Sequence, residues 1–173
     1  MDIFAHGLWA GAAAAVGNRA GAKVRVRWFI WWGVFPDVLA FGLPALVGLW
    51  LRVAGGAGYE GTMHGGRLPH VHLGLPLYQI GHSLVVFAVV FGVSAIVARR
   101  PVVGLLGWPL HIVIDMATHS HRYYATRFLW PLSDYGFDGI PWWTPWFHWC
   151  TYGALAVVYL LFWRIGWLSR ARR

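Results

Sequence analysis

Between Leu110 and His119 the chain reads Leu-His-Ile-Val-Ile-Asp-Met-Ala-Thr-His, with a polar group every four residues. On a helix this spacing stacks His111, Asp115 and His119 along one face and leaves isoleucine, valine and methionine to cover the others. Imidazole nitrogen and carboxylate oxygen so arranged can bind one divalent ion or span two. The pairing suits Zn²⁺ and, less selectively, Mn²⁺ or Fe²⁺. The same residues also serve as a hydrogen-bonded pair inside a helix bundle, and spacing alone leaves both readings open. Three more polar residues, His6, Asp37 and His82, stand in apolar surroundings. A carboxylate in hydrocarbon costs roughly 2.5–3.5 kcal/mol on insertion scales, so Asp37 and Asp115 require partners. His6 alone also reads as an interfacial histidine. His64, His70 and His72 fall in a glycine-rich stretch where solvated histidines are the default and metal capture is the alternative.

The elements that must hold these groups are membrane helices. Of 173 residues, 58% are hydrophobic and 12% charged, and the mean hydropathy is +0.54. That is too apolar and too charge-poor for an ordinary soluble domain of this size. Thirteen Trp and seven Tyr fit the aromatic belts of a membrane interface. The length accommodates one domain, residues 1–173. The lone Cys150 forms no intramolecular disulfide and reads as a packing residue. The net charge of +8 sits at the ends of apolar runs rather than along one polar face, which argues against a nucleic-acid partner and for membrane lipids.

Five apolar segments can be drawn: Ile3 to about Val16, Trp28 to Leu51, Leu75 to Ala98, Val102 to about Thr118, and Trp143 to Trp167. The first reads as a retained helix rather than a leader, because Arg19, Lys23, Arg25 and Arg27 follow it instead of preceding it. Pro36 and Pro44 predict a kink or break in the second, next to Asp37. The stretches 52–74 and 119–142 read as long loops. The expected fold is an all-α, multi-pass bundle of about five transmembrane helices in the cytoplasmic (inner) membrane. With loop 18–27, Arg99-Arg100 and the C-terminus from Arg164 facing the cytoplasm, that side holds ten basic residues against four, namely Arg52, Arg67, Arg122 and Arg127. The N-terminus is then outside and the C-terminus cytoplasmic. This threading brings His6, His82, His111 and Asp115 into the outer half of the bundle, with Asp37 deeper.

The order Ala5-His6-Gly7, Phe35-Pro36-Asp37, Gly81-His82-Ser83, His111-x-x-x-Asp115-x-x-Thr118-His119 and Leu129-Trp130-Pro131-Leu132-Ser133-Asp134 resembles the YdjM-like membrane-bound metal-dependent hydrolases. The same ligand order is similar, more loosely, to that of the soluble zinc-dependent bacterial phospholipase C, a helical enzyme that acts on phosphodiesters. The resemblance implies metal ligation by His6, Asp37, His82, His111 and Asp115. Family members commonly read Pro-Asp-x-Asp and His-Arg-Gly-x-Thr-His-Ser where this chain has Pro36-Asp37-Val38-Leu39 and Gly81-His82-Ser83. His119, His121 and Arg122 stand where they would compensate for the missing groups, His119 as a further ligand.

Metal-assisted hydrolysis of a phosphoester or lipid-linked ester is the activity this resemblance implies, with zinc the first choice of metal. Asp37 or Asp115 would orient or deprotonate the attacking water, and Asp37 is preferred because it follows the helix break, where backbone and carboxylate can line a cavity. Arg122 and Arg127 are expected to contact a phosphate, or else a phospholipid headgroup without catalysis, and Trp130 and Asp134 to shape the entrance. Two other classes compete. His82 and His111 also suit the axial positions of a b-type haem in an electron carrier. A small transporter, or a non-catalytic metal or proton site, would equally need buried Asp and His, although no inverted repeat is visible. Oligomeric state is not legible.

Overall fold

The computed structural model describes residues 1–54, 71–122 and 125–166, and His64, His70, Arg67 and the tail arginines from Arg170 lie outside them. The described residues contain no strand. Seven α-helices follow in order: α1 Ile3–Arg19, α2 Val26–Asp37, α3 Leu43–Val53, α4 Val71–Gly81, α5 Leu84–Ala98, α6 Gly107–Thr118 and α7 Pro145–Arg164. A π-helical turn, Val38–Gly42, joins α2 to α3, and a 3₁₀ turn, Val103–Leu106, leads into α6.

Asp2 starts α1 by accepting the amides of Phe4 and Ala5 at 3.1 and 3.0 Å, satisfying donors that the helix itself leaves orphaned. The helix is then built of small residues, and Ala5, Ala10, Gly11, Ala12 and Ala14 are all buried. Small side chains let α1 and α2 approach closely, the usual basis of helix packing in a membrane, where there is no hydrophobic drive between helices. Tyr159 donates to the Leu8 carbonyl at 2.9 Å and Tyr152 to the Asp2 carboxylate at 2.9 Å, so α7 is tied to α1 by two phenols.

The helix interruptions differ from expectation in kind and place. Pro36 lies inside α2, and Val26–Trp50 runs as one 25-residue helix. The ring removes a donor, and the backbone absorbs the loss by widening into the π turn that follows. The run from Leu75 to Ala98 is instead sharply bent, by 62° between α4 and α5. Ser83 is the cause: its hydroxyl accepts the Val85 and Val86 amides at 3.1 Å each and starts a new helix there. Helix α4 also begins at Val71, inside the stretch read as loop.

Two helices are long and apolar enough to cross a bilayer, Val26–Trp50 and Pro145–Arg164, or three if the bent α4–α5 pair counts as one span. At 1.5 Å per residue the first two reach about 37 and 30 Å, enough for a hydrocarbon core of about 30 Å. Helix α5 contains no buried residue and exposes Val89, Val90, Val93, Ile96 and Val97, a continuous apolar surface that water would not tolerate. The protein is therefore a helical membrane protein.

Candidate metal centre

Three glycines set how near the helices come. A methyl group at Gly33 would stand 2.6 Å from the Ala10 Cβ, and one at Gly107 would stand 2.1 Å from the Phe29 carbonyl oxygen and 2.9 Å from the Gly33 nitrogen. A Cβ on Gly81 would meet Pro36 at 3.3 Å. Helix α2 thus meets α4 and α6 backbone to backbone and α1 across the Ala10 methyl, and the side chains that follow these glycines are brought together. Gly33 precedes Asp37 by four residues, Gly107 precedes His111 by four, and Gly81 precedes His82 by one.

Asp37, His82, His111 and Asp115 are all buried, and one ligand atom from each lies within 4.8 Å of the others, close enough to hold one metal ion. The Nε2 atoms of His82 and His111 are 3.1 Å apart. Asp115 Oδ2 lies 3.2 Å from each, and Asp37 Oδ1 lies 3.8 Å from His82 and 3.7 Å from His111. A tetrahedral zinc with bonds of about 2.0–2.1 Å separates its ligand atoms by about 3.3–3.4 Å. The five distances bracket that value.

Backbone contacts decide which ring atoms face inward. His82 Nδ1 is 2.9 Å from the Tyr78 carbonyl, and His111 Nδ1 is 2.8 Å from the Gly33 carbonyl. A carbonyl only accepts, so in the neutral rings Nδ1–H donates and each Nε2 turns its lone pair toward the centre. Two lone pairs 3.1 Å apart repel, and neither has a proton to share. Asp115 Oδ2 is likewise buried without a hydrogen bond among the described residues. The set offers two carboxylates and two imidazoles whose Nε2 atoms face inward, so a single divalent cation would supply a bond to each donor. Nδ1–carbonyl hydrogen bonds are the usual second layer behind metal-binding histidines.

The remaining expected ligands lie beside this group rather than in it. His6 Nε2 is 2.9 Å from Asp115 Oδ1, its ring stacks on His111 with centroids 3.6 Å apart, and its Nδ1 is buried without a partner among the described residues. His119 Nδ1 is 3.3 Å from the same Oδ1. Thr118 Oγ1 donates to that oxygen at 3.2 Å, and the Met1 ammonium also contacts it. Asp115 is thereby the hub, with one oxygen toward the four-residue group and the other gathering His6, His119 and Thr118. A cavity of about 330 Å³ opens next to Asp37 and His119, walled by Ile3, Val38, Phe41 and Trp142.

The structure does not bring Arg122, Arg127, Trp130 and Asp134 to that cavity. Arg127 donates to Asp134 at 2.9 Å, so the guanidinium is already occupied by a carboxylate. The Trp130 carbonyl accepts the Ser83 hydroxyl and fastens the segment to the start of α5, and Arg122 is exposed. Sequence reasoning missed Tyr78 and Trp108. Tyr78 stacks on the His82 ring at 3.8 Å and shares a 3.1 Å hydrogen bond with Thr126. Trp108 donates to the Gly81 carbonyl at 2.6 Å, the residue before His82. Tyr78 was findable, since it lies one helical turn before His82, where an Nδ1–carbonyl bond is expected; Trp108 was hidden among thirteen tryptophans. Comparison with protein-family models, with curated proteins and with solved structures gives no match.

Proposed function

We propose that the protein is a membrane-embedded metal-dependent hydrolase that acts on a phosphoester or lipid-linked ester, with Asp37, His82, His111 and Asp115 as the metal ligands. The observation that carries this reading is the pair of inward-facing Nε2 atoms 3.1 Å apart, each fixed by a backbone carbonyl and each within 3.2 Å of a buried carboxylate oxygen. It also disfavours the haem reading, because the Asp37 and Asp115 carboxylates lie where a porphyrin between the two rings would have to pass. A divalent metal held by these four residues would supply Lewis acidity, and a water taken up as a fifth ligand would have its pKa lowered toward about 7. Zinc suits the donor set best, with manganese or iron also accommodated.

The chain's own groups take the remaining roles. Asp37 lines the cavity and is the carboxylate placed to orient a water and take its proton. His119 lines the same cavity with its Nδ1 held 3.3 Å from Asp115, which fixes the ring beside the space a substrate would occupy. Ile3, Val38, Phe41 and Trp142 form an apolar wall suited to the hydrocarbon part of a lipid. We assign α1, the α2–α3 helix, the α4–α5 pair, the 103–118 helix and α7 to the five crossings of the expected bundle in the cytoplasmic membrane, with the metal centre toward the outer face. The order of polar motifs that resembles the YdjM-like hydrolases supports the same reading.

Elemental mass spectrometry on protein purified in detergent without chelators tests it, with His111→Ala and Asp115→Ala beside the parent. The expected result is about one zinc, manganese or iron per parent chain, at least tenfold less in both variants, and phosphodiester or lipid-ester hydrolysis that follows metal content. Folded parent protein that takes up no metal when supplied would overturn the metal site. Stoichiometric metal without turnover on any ester would leave a non-catalytic metal protein.

A further inference from the structure

At the end of the bundle opposite the metal centre lies a second and larger cavity, of about 670 Å³. Helices α1 and α5 finish there, at Arg19 and Ala98, and α2 begins there at Val26. Lys23, Arg25 and Arg100 line its rim, and Trp28, Trp32 and Val103 are among the apolar residues of its wall. Trp28 and Trp32 are one helical turn apart on α2 and so extend the same wall inward from the rim. No acidic residue lines the cavity. The acids of the described chain, Asp2, Asp37, Asp115, Asp134 and Asp138, are engaged at the other end, with the amides of α1, the metal centre, Arg127 and the His121 amide.

The rim is held in place rather than merely charged. Asn18 brackets Val24 from both sides, its amide donating to the Val24 carbonyl at 2.8 Å and its oxygen accepting the Val24 N–H. Val24 is itself buried. The residues on either side of it, Lys23 and Arg25, are therefore carried by a fixed peptide, and the Arg99–Arg100 turn approaches from α5.

From this arrangement we infer that the cavity is a binding site for an anionic phospholipid, with the headgroup phosphate among Lys23, Arg25 and Arg100 and the glycerol and first acyl carbons against Trp28 and Trp32. Three cations without an acid among them leave a local charge that a phosphate neutralises, and basic pockets between helices at a membrane surface are suited to that ligand. A soluble phosphate would satisfy the cations and leave the tryptophan wall unused. A zwitterionic headgroup would bring its own ammonium against Lys23 and Arg100. The inference rests on the cavity alone and stands whether or not the metal centre hydrolyses anything.

Native mass spectrometry of delipidated, full-length protein titrated with phosphatidylglycerol or phosphatidylcholine tests it, using the Lys23→Gln/Arg100→Gln double variant. Arg27→Gln, an exposed cation outside the cavity lining, is the control for the loss of one charge and is compared with Arg100→Gln alone. A cation lining the cavity, within reach of the headgroup, contributes about a fivefold factor, and one outside the lining much less. The parent should retain one phosphatidylglycerol in preference to phosphatidylcholine, the double variant should bind it about 25-fold more weakly, and Arg27→Gln should stay within about twofold of the parent. Inorganic phosphate should not displace the lipid. Equal binding of the two lipids would overturn the site, as would an Arg27→Gln loss as large as that of Arg100→Gln alone. Displacement by inorganic phosphate would make it a site for a soluble anion instead. If the double variant does not fold, the single Arg100→Gln variant, with an expected fivefold loss, carries the same comparison.

Discussion

The two ends of this bundle treat charge in opposite ways. At the metal end Asp115 is completely buried, and each ring around it is held by a backbone carbonyl or a neighbouring carboxylate. At the other end Lys23, Arg25 and Arg100 are exposed around an apolar cavity, and only the peptide beneath two of them is fixed. Burying a charge demands that packing position every partner, because an unpaired group in a low-dielectric interior is costly. An exposed cation needs only a location. Damage to packing should therefore empty the metal centre and leave the cationic end intact, while loss of charge at the cationic end should leave the metal in place.

The hardest test of that contrast is Gly107→Ala. Helix propensity by itself favours alanine by about 1 kcal/mol, so any loss of stability must come from the contact with Phe29, whose carbonyl oxygen would lie 2.1 Å from the new methyl. Overpacking of this kind costs about 1–3 kcal/mol. Pushing α6 away from α2 also lengthens the bond between His111 and the Gly33 carbonyl, and lost second-layer contacts cost a metal site about 10- to 100-fold in affinity. The expected outcome is a lower melting temperature together with that loss of metal, measured by scanning calorimetry and metal titration. Gly92→Ala is the matched control: nothing lies within 4 Å of a methyl there, so it should be neutral or stabilising and keep its metal. Equal behaviour of the two variants would show that the glycine contacts do not build the site.

A smaller effect is expected of Trp108→Phe, which keeps the ring in its stack with Trp32 but removes the donor to the Gly81 carbonyl. One buried hydrogen bond is worth about 1 kcal/mol, and the orphaned carbonyl adds to the loss. Metal affinity should fall several-fold through the neighbouring His82, while phosphatidylglycerol binding stays unchanged, as read by metal titration and lipid retention on the same preparation. A fall in lipid binding as well would mean that the two ends are coupled through α2 and α6.

Helical spacing by itself made half of the centre legible. His111 and Asp115 announce themselves because four-residue spacing in an apolar run has a direct helical meaning, and both belong to the four-residue group. Asp37 and His82 entered as ligands through the order of motifs that resembles a hydrolase family; spacing alone shows them as isolated polar residues in apolar segments, since their meeting depends on Gly33, Gly81 and Gly107, and a glycine does not reveal which backbone it touches. Hydropathy averaged over Leu75 to Ala98 hides the 62° bend, although Gly81-His82-Ser83 contains a good helix-starting residue. The proline pair of the second segment signalled an irregularity without saying that it would be a π turn instead of a break. In the 119–142 stretch, residue type pointed to Arg127 and Asp134 as substrate contacts, and residue type does not distinguish a side chain waiting for a ligand from one already paired with its neighbour.

That last pair gives the mildest prediction and the clearest measure of how little an exposed charge contributes at the metal end. Both partners of the Arg127–Asp134 bridge are well exposed, with 44% and 79% of their side-chain surfaces accessible, so water competes for each group and the pair is worth at most about 0.5 kcal/mol. Arg127→Ala should shift the melting temperature by little more than experimental error and leave metal content unchanged. If the proposed ester hydrolysis is found, its rate in this variant should stay within about twofold of the parent, because a guanidinium that already holds Asp134 gains little by exchanging one exposed anion for another. A tenfold loss of turnover at constant metal content would reverse that assignment. It would mean that Arg127 leaves Asp134 when substrate arrives, and that the metal end, like the cationic end, recruits an exposed charge to bind its ligand.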